Sequence, residues 1–246
     1  MPGPRPDPDA EAMTGSALPR RDVPAAFDHT APAYDRLVGL NPGYHAHLRQ
    51  AAGALAEAGP RILDAGCGTG ASTRAIVEAV PGSRVVAVDG SAGMLQVARG
   101  KAWPAGVEFV HSRIEDLAAA GVAGPFDAVF AAYLVRNLPD PDSALVALRD
   151  LLRPGGLLVV HDYSLRRHPV PRLLWHAVCW SVIIPAGRLV AGDAALYRYL
   201  WRSVRRFDDP AAFLARLRRA GFTGARCEPV EGWQRGIVHT FRARRP

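Results

Sequence analysis

Short apolar runs along this chain alternate with stretches whose apolar residues recur at intervals of three and four. The runs predict strands over 61–65, 84–89, 107–111, 126–132 and 156–162. The longer stretches predict helices over 70–80, 92–99 and 142–152, with a short turn at 114–119. Alternation of this kind gives an α/β fold, a doubly wound Rossmann-like sheet of mostly parallel strands with helices on both faces and right-handed crossovers. Two last runs, Ala225 to Val230 and Gly236 to Arg242, are separated by a tight turn and predict an antiparallel C-terminal edge.

Three segments fall outside the alternation. Phe27 to Ala58 reads as amphipathic helix, with Tyr34, Leu37, Leu40, Tyr44 and Leu48 near helical spacing around a Gly-Leu-Asn-Pro-Gly break. It precedes the sheet and is expected to cover the ligand. Pro169 to Val204 shows helices with mixed apolar and aromatic faces and no strand, a helical insertion. Asp208-Asp209-Pro210 then opens a helix that runs to Gly221, with an acid at the N-cap and proline in the first turn. The expected organisation is a disordered leader at 1–24 and one domain at 25–246, of which 25–58 is the helical cover and 169–204 the insertion.

The chain has 246 residues, 49% of them hydrophobic, enough to bury a full core. Its first residues carry proline and charge rather than a basic start and an apolar run, so no signal peptide is read there. The longest apolar stretch, Ala177 to Pro185, is well short of the ~20 residues a membrane span needs. Cys67, Cys179 and Cys227 are odd in number and far apart, which suggests a reducing, cytoplasmic setting without disulfide or metal site. Net charge is +7, but from His161 onward there are 16 arginines against 6 acids. Such a basic third suits an anionic bilayer at the inner face of the membrane, an acidic substrate or nucleic acid; no recognition motif supports nucleic acid. Nothing in the pattern sets an oligomeric state.

The chemistry concentrates in Leu63-Asp64-Ala65-Gly66-Cys67-Gly68-Thr69-Gly70, which joins the first strand to a helix through three glycines. Gly66, Gly68 and Gly70 permit a sharp turn and a close backbone approach to a ligand at a helix N-terminus. Asp89 ends the next strand about 20 residues on, where a carboxylate grips a ribose diol. NAD, FAD and S-adenosyl-L-methionine all use this corner. The G-x-G-x-G spacing, and Asp64 directly before the loop, favour S-adenosylmethionine: a carboxylate there repels a pyrophosphate but suits an ammonium.

Placed on these segments, the chain resembles class I S-adenosylmethionine-dependent methyltransferases. Within them it is similar to the UbiE-type C-methyltransferases of ubiquinone and menaquinone biosynthesis. The matching pieces start with Phe27, Ala33-Tyr34-Asp35, the glycine loop, Val88-Asp89-Gly90-Ser91-x-x-Met94-Leu95 and Phe126-Asp127-Ala128-Val129. They continue with Arg136-Asn137-Leu138-x-Asp140, Leu152-Arg153-Pro154-Gly155-Gly156, Tyr197-Arg198-Tyr199-Leu200-x-x-Ser203, Gly221-Phe222 and Gly236-Ile237-Val238-His239. The resemblance implies cofactor contacts at Thr73, Asp89, Met94 and the pair Arg113-Ile114. That pair is commonly Asp or Asn followed by Ala, so the adenine acceptor is expected at Glu115 or Asp116 instead.

The implied acceptor is a prenylated quinol such as demethylmenaquinol; another lipid or a natural product is the alternative. A quinol attacks through carbon after losing a phenolic proton, which calls for a base and a cation beside the oxygen. Arg136, at the end of the fourth strand, is the expected phenolate stabiliser or water orienter, and an ordinary ion pair with Asp140 is its plainer reading. Tyr34 on the cover, and His161 with Asp162 at the end of the fifth strand, are the other catalytic candidates. Trp175, Trp180, Val182, Ile183, Ile184 and Leu189 would form an apolar wall for an isoprenoid tail.

Overall fold

In the computed structural model, residues 18–39, 41–165, 169–191 and 195–246 are described. Residues 1–17, most of the expected leader, lie outside them. The rest of that leader is ordered: Arg20–Asp22 form a 3-10 turn and helix α1 (Val23–Gly39) starts directly after it. Val23 is buried and Arg20 donates to the Leu138 carbonyl at 3.2 Å, so the cover begins before residue 25. Proline and arginine hide this start, because the contacts that hold it are tertiary.

Helix α2 (Tyr44–Ala52) completes the cover. Then come β1 (Arg61–Ala65), α3 (Ala71–Ala79), β2 (Arg84–Asp89), α4 (Ala92–Arg99), β3 (Val107–His111), β4 (Phe126–Ala132), α5 (Pro141–Leu151) and β5 (Leu152–Tyr163). The fifth strand starts four residues earlier than its apolar run, because Leu152 pairs with Phe126 across a register shift ahead of Leu157. The insertion is α6 (Pro169–Val178), a π-helical turn (Cys179–Ile183), α7 (Ile184–Ala191) and α8 (Ala195–Arg206). Helix α9 (Pro210–Arg219) follows, with the Asp209 side chain accepting from the Ala212 N–H at 2.9 Å as the expected cap.

Strands β6 (Thr223–Pro229) and β7 (Val238–Arg244) close the chain. The seven-stranded sheet has the order β3-β2-β1-β4-β5-β7-β6, parallel except for β7, which runs antiparallel to both neighbours. Strand order reverses between β1 and β4. A crevice opens there at the carboxyl ends of the strands, where doubly wound sheets bind ligands.

Side-chain parity divides the core between the two faces. Leu63, Val129 and Ala131 pack on one face with Leu145, Leu148 and Phe213. Ile62, Ala128 and Phe130 pack on the other with Leu48, Leu55 and Ile76. Each fully buried side chain of this size contributes about 1.5–3 kcal/mol, so both helical layers are held to the sheet. A third cluster joins Tyr163, Trp175, Cys179 and Trp201 with Phe27, placing the insertion beside the cover and over the end of β5.

Candidate active site: two clefts with a shared aromatic wall

The first cleft opens over the glycine loop. Gly68 has φ of 54°, and a Cβ there would meet nothing within 4 Å, so the turn leaves open space above its backbone. Gly70 has φ of 90° and faces away, where a Cβ would strike Trp103 at 2.6 Å. The Gly68 N–H donates to Asp89 Oδ2 at 2.7 Å and the Ser91 N–H to Oδ1 at 2.8 Å. These two bonds aim the Asp89 carboxylate from the end of β2 into the cleft. Burial raises its pKa, and the same two N–H groups oppose the rise.

Asp64, Gly70 and Thr73 do not line this cleft; Gly66, Cys67, Gly68, Thr69, Ala71 and Ser72 do. Asp64 is fully buried, and its Oδ2 accepts from the Ser72 and Thr73 hydroxyls at 2.8 and 2.7 Å. Its Oδ1 has no partner among the described residues. Burial lifts its pKa to about 7, partly opposed by the two hydroxyls. Burial, with Asp64 and Asp89 nearby, also pushes the Cys67 thiol well up, which rules it out as a ready nucleophile.

The raised Asp64 pKa makes stability depend on pH. The carboxyl favours the fold fully below about pH 4, and that contribution is lost as pH rises toward about 7. Asp64→Asn is therefore expected to melt several degrees above the native protein at pH 8 and close to it at pH 4, as read by thermal unfolding without ligand.

The cover is pinned to the glycine loop and to the turn after β2 by Asp35, which the sequence offers only as part of a matching piece, and by Asp28, which the sequence did not single out. Asp28 Oδ1 accepts from the Ser91 hydroxyl at 2.6 Å and the Gly93 N–H at 2.8 Å. Asp35 accepts from the Thr69 hydroxyl at 2.5 Å and pairs with Lys101 at 2.6 Å, while Lys101 also donates to the Thr69 carbonyl. On the far side, Met94, Ser112, Arg113, Ile114 and Glu115 line the cleft. The Arg113 guanidinium donates to the Arg21 carbonyl, tying cover to sheet. Asp116 is exposed and outside the lining, because the 3-10 turn Ile114–Asp116 carries Ile114 inward and Asp116 out. Of the two acids expected near the adenine, only Glu115 reaches the cleft.

A second cleft, about 1110 Å³ with its open mouth, lies between the cover and the insertion. It shares Phe27, Tyr34, Tyr44, Tyr133 and Asn137 with the first. Tyr133, directly after β4, has φ of 55°, a left-handed conformation that is strained for an aromatic residue. Its ring stacks on Tyr44 at 5.3 Å and 13°. Asn137 donates to the Tyr133 carbonyl at 2.9 Å and accepts from the Tyr199 hydroxyl at 3.2 Å. Position alone, one residue beyond a strand at the carboxyl edge, was the available signal for Tyr133.

Arg136 lines the second cleft and is 4% exposed. Its partner is not Asp140, which caps α5 through the Asp142 and Ser143 N–H groups, but Asp162. Nη1 donates to Asp162 Oδ1 at 2.5 Å and to the Tyr133 carbonyl at 3.0 Å. Burial opposes the charge on Arg136, but Asp162 and its hydrogen bond outweigh that and raise the pKa. The Nε–H has no acceptor among the described residues. A buried cation with an unused donor thus borders the cleft.

Of the other two catalytic candidates, one is removed from the clefts and one lines both. His161 is fully buried and lines neither cleft. Its Nε2 lies 3.2 Å from the Tyr133 hydroxyl and its Nδ1 2.9 Å from Thr240 Oγ1, so it supports Tyr133 from behind. Burial, then the neighbouring His47 and His239, hold its pKa down to about 3; it is neutral at pH 7 and a poor base. Tyr34 lines both clefts, but burial raises its pKa with Arg136 only partly opposing, so it presents a neutral hydroxyl.

The donor set fits S-adenosylmethionine. Asp89 suits a ribose diol, Met94 and Ile114 offer apolar surface to a base, and open space lies above Gly68. Asp64, buried with an unpartnered Oδ1, reaches the same cleft only through Ser72, whose hydroxyl donates to it and leaves a lone pair suited to an ammonium group.

Comparisons with known proteins agree. Residues 18–243 match the profile of the ubiE/COQ5 methyltransferase family. Over 204 residues the chain is 36% identical to the demethylmenaquinone methyltransferase of Thermus thermophilus, covering 80% of this chain and 91% of that one. It is also 36% identical over 235 residues to the ubiquinone/menaquinone biosynthesis C-methyltransferase UbiE of Syntrophotalea carbinolica, covering 93% and 96% of the two chains. Among solved structures, an S-adenosylmethionine-dependent methyltransferase of Thermotoga maritima superposes with a TM-score of 0.64 at 19% identity, covering 91% of this chain and all of that one. The chain belongs to the ubiE/COQ5 methyltransferase family, and it is an S-adenosyl-L-methionine-dependent methyltransferase.

Proposed function

We propose that this enzyme methylates a ring carbon of a prenylated quinol, with demethylmenaquinol as the acceptor. The observation that carries the reading is the wall of Phe27, Tyr34, Tyr44, Tyr133 and Asn137 common to both clefts, against which donor and acceptor can be set face to face. The names of the relatives support the choice of quinol. So does the apolar lining beyond the wall, which includes Val178, Val182, Ile183, Ala186 and Leu196 and suits an isoprenoid tail. That tail belongs to a bilayer, so the enzyme works as a peripheral protein at the inner leaflet. Among the described residues no helix is long and apolar enough to cross a membrane.

S-adenosylmethionine supplies an electrophilic methyl group on a sulfonium when bound. In this reading Asp89 takes the ribose hydroxyls, Gly66 and Gly68 let the backbone approach, and Asp64 draws the ammonium through the Ser72 and Thr73 network. Met94, Arg113 and Ile114 enclose the base. On the acceptor side the phenolic proton leaves to water in the cleft, since Arg136 stays protonated and Tyr34 and His161 are not bases at neutral pH. Arg136, through its free Nε–H, steadies the phenolate oxygen. Electron density then reaches the neighbouring ring carbon, which forms the new C–C bond as the C–S bond breaks. The ring hydrogen then leaves as a proton to water in the cleft, its bonding electrons restoring aromaticity. Tyr34 and Asn137 orient the ring from the two sides of the wall.

The test is expression in a bacterium from which its own demethylmenaquinone methyltransferase has been deleted. Menaquinone is expected to return in the lipid extract. Persistence of demethylmenaquinone, with protein that binds S-adenosylhomocysteine, would favour the alternative of another lipid or natural-product acceptor.

A further inference from the structure

Large apolar side chains stand in solvent along one short segment. Val170, Leu173, Trp180, Val182 and Leu189, on α6, the π-turn and α7, are 47–85% exposed. Monomeric proteins seldom leave so much apolar surface together unless it meets something. Val182 also lines the second cleft, so the exposed face adjoins the mouth of the acceptor site. Charge narrows the choice of partner. From Tyr163 to Gly192 the sequence has no Asp or Glu and four arginines, and Arg172 and Arg188 among them are exposed. From Tyr163 to Phe207 there are eight arginines and a single acid, Asp193. Two copies meeting through this face would oppose arginine to arginine. An anionic phospholipid surface complements both the charge and the apolar side chains.

We propose that α6, the π-turn and α7 form a docking face for an anionic phospholipid bilayer. Leu173 and Leu189 enter the acyl boundary while Arg172 and Arg188 meet lipid phosphates. An acceptor tail then passes from the leaflet past Val182 into the second cleft without crossing water. This last step rests on the prenylated-acceptor reading; docking itself needs no acceptor.

The test is sedimentation of the full chain with vesicles of phosphatidylglycerol and phosphatidylcholine, with no acceptor present. The native protein is expected to sediment with vesicles rich in phosphatidylglycerol and to stay in solution with phosphatidylcholine alone. The pair Leu173→Ser and Leu189→Ser, both at highly exposed positions outside the two clefts, is expected to weaken partitioning roughly tenfold while keeping native affinity for S-adenosylhomocysteine. Native protein that stays in the supernatant, a double variant that sediments like the native chain, or a native oligomer that the double variant splits into monomers would each overturn the proposal. Docking as expected by an enzyme that leaves demethylmenaquinol unmethylated would uphold this face and sink the acceptor reading alone.

Discussion

Arg136→Ala is expected to lower methyl transfer by about 10²–10³-fold while affinity for S-adenosylhomocysteine stays near native. The side chain borders the second cleft and not the first, which separates the two effects. The same truncation leaves Asp162, with a side chain 0% exposed, without its cation. Removing one partner of a buried pair costs about 3–5 kcal/mol, so lower turnover alone would not distinguish a catalytic loss from a folding loss. A second variant does so. Arg136→Met with Asp162→Asn removes both charges and keeps an acceptor for the Tyr163 N–H, which now bonds Asp162 at 2.8 Å. This pair is expected to regain most of the lost stability in denaturant unfolding and none of the turnover. Near-native turnover in the neutral pair would mean that the guanidinium does nothing for the phenolate.

Asp89→Ala is expected to weaken S-adenosylhomocysteine binding by roughly 100-fold, about 3 kcal/mol, the scale of two hydrogen bonds to a charged acceptor. Part of the loss is indirect, because Asp89 also holds the Gly68 and Ser91 N–H groups in place. Asp89→Asn keeps one oxygen acceptor and is expected to fall between the native protein and the alanine variant. Isothermal titration calorimetry on protein with a native circular dichroism spectrum reads all three. Binding by Asp89→Ala within threefold of native would remove the diol contact from the cofactor site.

The parallel half of the sheet was legible because its central strands are compact apolar runs closed by glycine, proline or a charged turn. Ile62 to Ala65 and Ala128 to Ala132 are buried on both faces and so carry little polar interruption. The first cleft was legible for a similar reason: Gly68 and Asp89 come to line it through backbone freedom and strand-end position, both of which are written locally. The acceptor side was only half legible. Arg136 was expected at the end of the fourth strand and lies in the 3-10 turn Val135–Asn137 just beyond it, but its partner Asp162 lies on β5, and only tertiary pairing joins them. His161 sits too deep: it is fully buried behind Tyr133, and Tyr163, two residues on with the same parity, is the one that lines the second cleft. Asp116 failed for a different reason, since the turn after β3 gives its inward position to Ile114. The left-handed backbone of Tyr133 and the Asp28 and Asp35 pins depend on contacts that no local pattern records.

The most direct measurement is a methyl-transfer assay under anaerobic conditions, with purified enzyme, S-adenosylmethionine carrying a deuterated methyl group and demethylmenaquinol, read by mass spectrometry and NMR of the product. Methyl transfer from the first cleft to an acceptor in the second predicts menaquinol with the label on the ring carbon and an equal yield of S-adenosylhomocysteine. An enzyme that binds S-adenosylhomocysteine yet leaves the quinol unlabelled, or labels an oxygen instead of carbon, would contradict it.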